Sequence, residues 1–201
     1  MATLYELKPA FQGLLRPSTN RLACAGVTAN QVTVAAAVMS VAAAGLIAAF
    51  PQTRGIFLLI PVVLFVRMAL NAIDGMLARE HGQASTLGMY LNELCDVLSD
   101  LALILAFAAV PMFPAWGVIT FAIAAVVAEY AGVLGIPAGI GRNYAGPFGK
   151  SDRAFALGLV AVLVAANLLI GTIAPFIFPA LALLSLVTIA NRIRAGLRPV
   201  A

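Results

Sequence analysis

The chain has 201 residues, of which 63% are hydrophobic and only 10% are charged, against roughly half and a quarter in soluble domains. With a mean hydropathy of +1.04 and repeated apolar runs of about 20 residues, the length that crosses a bilayer, these values exclude a soluble domain, a disordered chain, a coiled coil and a disulfide scaffold. The formal net charge of +4 reflects the Lys and Arg that membrane proteins collect on their cytoplasmic side, so no nucleic-acid partner is expected, and Cys24 and Cys95 are read as free thiols.

Residues 1–31 carry Glu6, Lys8, Arg16 and Arg21 ahead of the first long apolar run, so no cleaved leader is expected and the N-terminus is read as cytoplasmic. Within residues 1–29, Leu4, Leu7, Phe11, Leu14 and Leu15 recur at helical spacing opposite Glu6, Lys8, Gln12 and Arg16, which predicts an amphipathic helix lying on the membrane interface. Pro9, Gly13 and Pro17 weaken that helix. The first span is expected over Val32–Phe50, closed by Pro51, Arg54 and Gly55, and the second over Ile56–Arg79. Thr86–Val110 has the length of a third, although its first half holds Asn92, Glu93, Asp96 and Asp100. Trp116–Leu134, Ala154–Ile170 and Ile173–Ala190 are expected to be the fourth, fifth and sixth.

Charge placement favours counting Thr86–Val110 as a span. With it, all but Arg54 and Arg67 of the twelve basic residues, from Lys8 to Arg198, fall on one side, as the positive-inside rule requires. The expected fold is an all-α polytopic membrane protein of six transmembrane helices with an N-terminal interfacial helix. It forms a single domain over residues 1–201, with both termini cytoplasmic. No internal repeat or low-complexity tract is present.

An ionised side chain at mid-span costs on the order of 3 kcal/mol, so intramembrane charges must face protein, water or a bound cation. Arg67, Asn71, Asp74 and Ala78 follow steps of four, three and four, while Gly88, Asn92, Asp96 and Asp100 follow steps of four. Each set lies along one stripe of its helix. A short loop joins the two segments, so the stripes are expected to face each other across a hairpin at the cytoplasmic interface. They would gather oxygen ligands there for a hard divalent cation. Gly75, Ala78 and Gly88 leave room for a ligand, and Arg79 places a fixed cation suited to phosphate oxygens at the mouth.

The stretch from Asn71 to Asp96, NAIDGMLAREHGQASTLGMYLNELCD, resembles the signature of the CDP-alcohol phosphatidyltransferase family, D-x2-D-G-x2-A-R-x8-G-x3-D-x3-D. Every spacing agrees, and Asp74, Gly75, Ala78, Arg79, Gly88 and Asp96 agree in identity, with Asn71 and Asn92 where the family has aspartates. GVTANQVT, residues 26–33, is similar to the family's segment before its first span. The resemblance implies transfer of a phosphatidyl group from CDP-diacylglycerol to an alcohol hydroxyl with release of CMP, in a homodimer of the bacterial inner membrane whose active site is cytoplasmic. It further implies one or two Mg2+ or Mn2+ ions held by Asn71, Asp74, Asn92 and Asp96, with Asp96 also acting as general base. By the same resemblance Gly75, Ala78 and Gly88 admit the cytidine, Arg79 and Ser85 contact phosphates, and Asn30 and Thr33 line the nucleotide pocket. Four aspartates would balance two divalent ions, whereas these positions supply two carboxylates and two uncharged amides.

Beyond the signature, Arg67 is expected to form an ion pair with Asp100 or Glu129, and Glu129 to face the protein interior. His81 reads as a solvated loop residue. The basic loop Gly139–Arg153 supports two readings: topology with headgroup attraction, or an acceptor site in which Lys150 and Arg153 draw an anionic alcohol. Two competing functions remain open at this point, a catalytically weak or silent relative that binds CDP-lipid or metal as a scaffold, and an ion-coupled transporter. The clustering of polar residues toward one face and the lack of inverted repeats count against the transporter.

Overall fold

A computed structural model describes residues 4–169 and 171–197, with side chains from residue 9 onward. The side chains of Leu4, Glu6, Leu7 and Lys8, and residues Ile170 and Arg198, all used in the sequence reading, lie outside the described set. Among the described residues seven α-helices follow one another: α1 (Leu4–Cys24), α2 (Ala29–Ala49), α3 (Leu59–Glu80), α4 (Thr86–Leu105), α5 (Ala115–Val133), α6 (Lys150–Ala165) and α7 (Ala174–Gly196). No strand occurs among the described residues.

Among the described residues, four segments are long and apolar enough to cross a membrane: Ala29–Ala49, Arg54–Glu80, Ala115–Val133 and Ala174–Gly196. Two of the six expected spans fall outside this set for different physical reasons. Helix α4 covers most of the third but carries Glu93, Asp96 and Asp100, and it passes at Ala106–Ala109 into a 3-10 turn. Helix α6 is regular for only 16 residues, starting four residues before the expected fifth span and ending five before its expected close.

The chain divides into two compact units, one formed by residues up to Val41 with Val62–Ser99, the other by Ala42–Pro61 with Asp100 onward. In the first, α1 is continuous through Pro9 and Pro17. Its expected lipid-facing stripe splits: Leu14 is exposed, whereas Leu15, Leu22 and Ala23 pack on a buried cluster of Ala29, Val32, Ile73, Met76 and Leu77. Packing of this kind outweighs the low helix propensity of proline and glycine. Arg16 reinforces the contact with a two-point ion pair to Glu80, Nε and Nη2 donating at 3.1 and 2.9 Å. That hydrogen bond first, and the carboxylate charge second, hold the Arg16 guanidinium above its ordinary range. The turn into α2 needs Gly26, whose φ is +77°.

The second unit is built on aromatic packing. Phe107, Phe113 and Phe178 meet with ring centroids 5.0–5.7 Å apart, in tilted and edge-on contacts that suit aromatic quadrupoles. Helix α7 packs along α5, and a Cβ at Gly117 would come within 2.9 Å of the Pro179 ring, so that glycine seats the proline carried inside α7.

Candidate functional site

The site is assembled within the first unit, around the start of α2. Thr28 and Gln31 form a reciprocal cap: the Gln31 amide nitrogen donates to Thr28 Oγ1 at 3.2 Å and the Thr28 nitrogen to Gln31 Oε1 at 2.9 Å. Another amide at this helix end, that of Ala29, donates to Gln83 Oε1 at 2.7 Å, while Gln83 Nε2 donates to the Val27 carbonyl at 3.3 Å. Gln83 lies in the α3–α4 loop, beside Gly82 at φ +67°, and so straps that loop to α2. One turn into α2, buried Thr33 donates to Asp74 Oδ2 at 2.7 Å and back to the Ala29 carbonyl at 3.1 Å.

The opening turn of α4 meets the same region. Ser85 is its N-cap, with Oγ accepting from the Gly88 nitrogen at 3.0 Å. A Cβ on Gly88 would stand 2.8 Å from Asn30 Oδ1, so the bare backbone there is what admits Asn30. On α3, the Arg79 guanidinium folds over Gly75, where a Cβ would meet Nη2 at 3.0 Å. Ala78 packs on the apolar cluster shared with α1, and half-buried Asn92 lies on α4 one turn past Gly88.

One turn deeper, the polar stripes of α3 and α4 meet as their spacing predicts. Asn71 Nδ2 donates to Asp96 Oδ1 at 3.0 Å, and Arg67 Nη2 donates to the same oxygen and to the Asp96 carbonyl, both at 3.2 Å. Arg67 is only 4% exposed. It forms an ion pair with Asp96, Nη2 to Oδ1 at 3.2 Å, one turn before Asp100 on the same stripe. Gln83 was overlooked by the sequence reading because an amide in a short polar loop carries no pattern that marks it as a helix cap. The constellation holds the carboxylates of Asp74 and Asp96, the amides of Asn71 and Asn92, and two guanidiniums, that of Arg67 buried and that of Arg79 exposed. Among the described residues no three His, Cys, Asp or Glu side chains converge as a metal group, so the set fits a divalent ion only through carboxylates supplemented by amide and substrate oxygens.

Lys150 and Arg153 lie in the second unit, at the start of α6. Arg153 is buried and donates to Glu129 Oε1 at 2.6 Å. The same glutamate accepts from Arg142 at 3.1 Å and pairs with Arg192 at 3.5 Å. Glu129 thus faces the interior as expected, with partners that spacing alone could not name. Arg192 also donates to the carbonyls of Ala128 and Ala145, and Asn143 Nδ2 donates to the Arg192 carbonyl at 2.9 Å. His81, exposed in the α3–α4 loop, lies 3.2 Å from Asn20 Oδ1. Cys24 and Cys95 are free thiols.

Comparison with known proteins adds an independent line. The chain is 48% identical over 163 residues, 81% of each chain, to the inner membrane protein YnbA of Escherichia coli K12. It is 30% identical over 105 residues to archaetidylinositol phosphate synthase of Pyrococcus horikoshii, about half of each chain. Its fold matches Mycobacterium tuberculosis phosphatidylinositol phosphate synthase (PgsA1) in complex with manganese and citrate, at a TM-score of 0.74, 21% identity and 92% coverage of both chains. The CDP-diacylglycerol-bound form of that protein gives a TM-score of 0.69 at 21% identity, covering 92% of this chain and 97% of the other. The family model for CDP-alcohol phosphatidyltransferases matches residues 26–191, and the chain belongs to the CDP-alcohol phosphatidyltransferase family.

Proposed function

We propose that this protein transfers a phosphatidyl group from CDP-diacylglycerol to the hydroxyl of an alcohol, releasing CMP. The observation that carries the reading is the joining of α2, α3 and α4 by Thr33–Asp74 and Asn71–Asp96, which ties the signature carboxylates into one hydrogen-bonded constellation. Asp74 and Asp96, with oxygens of Asn71 and Asn92, would hold divalent metal, Mg2+ or Mn2+. Such an ion supplies charge stabilisation to the diphosphate and to the departing CMP. Asp96 would accept the acceptor's hydroxyl proton on its carboxylate, oriented by Arg67 and Asn71. Arg79, free of side-chain crowding above Gly75, would contact phosphate oxygens with the hydroxyl of Ser85. Asn30, Thr33, Ala78 and Gly88 would border the nucleotide. A shallow apolar groove runs from Asn30 and Gln31 past Val34 and Val38 to Met39, a surface suited to an acyl chain.

The wider reading has α2–α7 as six spans in a single domain, α1 on the interface, both termini and the site on the cytoplasmic side of a bacterial inner membrane, and a homodimer. Lys150 and Arg153 supply positive charge for an anionic acceptor, although the short bond to Glu129 weights Arg153 toward holding its loop. The test is CMP release by purified protein given CDP-diacylglycerol, Mg2+ and a panel of alcohols. Release with one acceptor class is expected, and silence with every alcohol removes the proposal. One observation favours the scaffold reading: both Arg67 and Asn71 donate to Asp96 Oδ1. Turnover gained by a silent parent only after Asn71→Asp and Asn92→Asp would select it.

A further inference from the structure

The signature runs along α3 and α4, yet Asp74 is met from a third helix. Thr33 on α2 is 7% exposed and Asp74 4%, and the Thr33 hydroxyl donates to Asp74 Oδ2 at 2.7 Å. A short contact to a charged acceptor is the stronger kind of hydrogen bond. The hydroxyl has one proton and two acceptors in reach, the second being the Ala29 carbonyl of its own helix at 3.1 Å. That backward contact holds the side chain in the rotamer that faces Asp74, and the shorter distance assigns the proton to the carboxylate.

The turn that precedes Thr33 is itself tied to the signature's spacer. The Ala29 amide donates to Gln83 Oε1 at 2.7 Å, and Gln83 Nε2 donates to the Val27 carbonyl at 3.3 Å. Gln83 falls among the eight residues that the signature leaves open between Arg79 and Gly88. On the α4 side Asn30 closes against Gly88, where a Cβ would stand 2.8 Å from its Oδ1. The first turn of α2 is therefore held by the α3–α4 loop and by α4, while its next turn grips Asp74 on α3. We infer that Thr33 is a positioning residue for Asp74: with its helix end fixed by Gln83, it sets the direction in which that carboxylate presents its oxygens to a divalent ion. Asp74 has further interactions, so loss of the hydroxyl loosens the carboxylate without releasing it. Groups that orient a metal ligand by hydrogen bonding are typically worth roughly 10- to 100-fold in metal affinity, and the lower end is expected here. The inference rests on the transferase reading for the metal role of Asp74, but metal affinity is measured without turnover.

The experiment is Mn2+ binding to the purified full-length protein with saturating CMP, followed by electron paramagnetic resonance of bound and free ion, with the unfolding midpoint read in parallel. Thr33→Val keeps the shape of the side chain, removes the donor and should weaken Mn2+ about tenfold. Thr33→Ser keeps the donor and should bind within about twofold of the parent. A folded Thr33→Val protein that loses midpoint but binds Mn2+ as tightly as the parent would show a purely structural hydroxyl and overturn the inference. Equal weakening by the Ser and Val variants would overturn it too, since the methyl and not the hydroxyl would then be responsible. If Thr33→Val does not fold, Thr33→Ala removes the same hydroxyl and the same outcomes decide. A parent that binds no Mn2+ overturns the inference together with the metal role of Asp74. Mn2+ binding weakened by Thr33→Val, with no CMP released from any acceptor, would sink the transferase reading and leave the inference standing.

Discussion

Two carboxylate–arginine centres in this molecule have opposite charge balance. In the first unit, Asp74 and Asp96 have Arg67 as the buried cation of their constellation. In the second, one glutamate, Glu129, meets Arg142, Arg153 and Arg192. The arginine-rich centre spends its donors on backbone carbonyls as well, Arg153 on Phe148 and Arg192 on Ala145 in the loop and on Ala128 of α5, which is how a fold staples a long glycine-rich loop. The first centre instead sets two carboxylates and one buried arginine beside small residues, an arrangement that on the proposed reading draws in a cation and a phosphate-bearing ligand. On that reading buried charge marks a binding site in one place and a structural pin in another, and the ratio of buried signs tells them apart.

The largest effect that sharpens this contrast is expected from Asp96→Asn, which should cut CMP release by roughly 10^2- to 10^4-fold, the worth of a positioned general base, together with a lowered thermal midpoint because buried Arg67 loses its carboxylate. Glu129→Ala should act on stability foremost: three arginines left around a missing carboxylate should cost roughly 3–5 kcal/mol, read as a lowered unfolding midpoint in detergent. Gly88→Ala forces its Cβ onto Asn30 Oδ1 and should cost about 1–3 kcal/mol, with KM for CDP-diacylglycerol raised more than kcat is lowered. Gln83→Ala removes an acceptor from the Ala29 amide and should cost about 1 kcal/mol. Arg16→Ala sits at the bottom of the series, because its solvent-exposed pair with Glu80 is screened by water and salt, and no measurable change in midpoint at 0.15 M salt is expected. A Glu129→Ala protein as stable as its parent would collapse the distinction between the two centres.

Much of the first centre is legible in the sequence, since helical periodicity alone sets Arg67, Asn71 and Asp74 on one stripe and Asn92 and Asp96 on another, and the signature spacing joins them. The register across the hairpin is not legible: periodicity leaves Asp96 and Asp100 one turn apart on the same stripe, and the ion pair of Arg67 with Asp96 depends on how the two helices pack. The second centre is almost invisible to periodicity. Arg142 and Arg192 have the look of ordinary topology-setting cations, and their convergence on Glu129 depends on loop residues 134–149, whose path no local pattern encodes. Helix α1 shows the same limit in another form, because Pro9 and Pro17 argue against continuity while packing of Leu15 and Leu22 on the apolar cluster of α2 and α3 restores it.

The cap at the start of α2 has a consequence for biogenesis. The acceptor for the Ala29 amide sits 54 residues downstream on Gln83, and a ribosome adding about 5–20 residues per second needs about 3–11 s to produce it. For that interval the local Thr28–Gln31 exchange must secure the helix end alone, so the start of α2 reaches its final form only after α3 and the loop that follows it have left the ribosome.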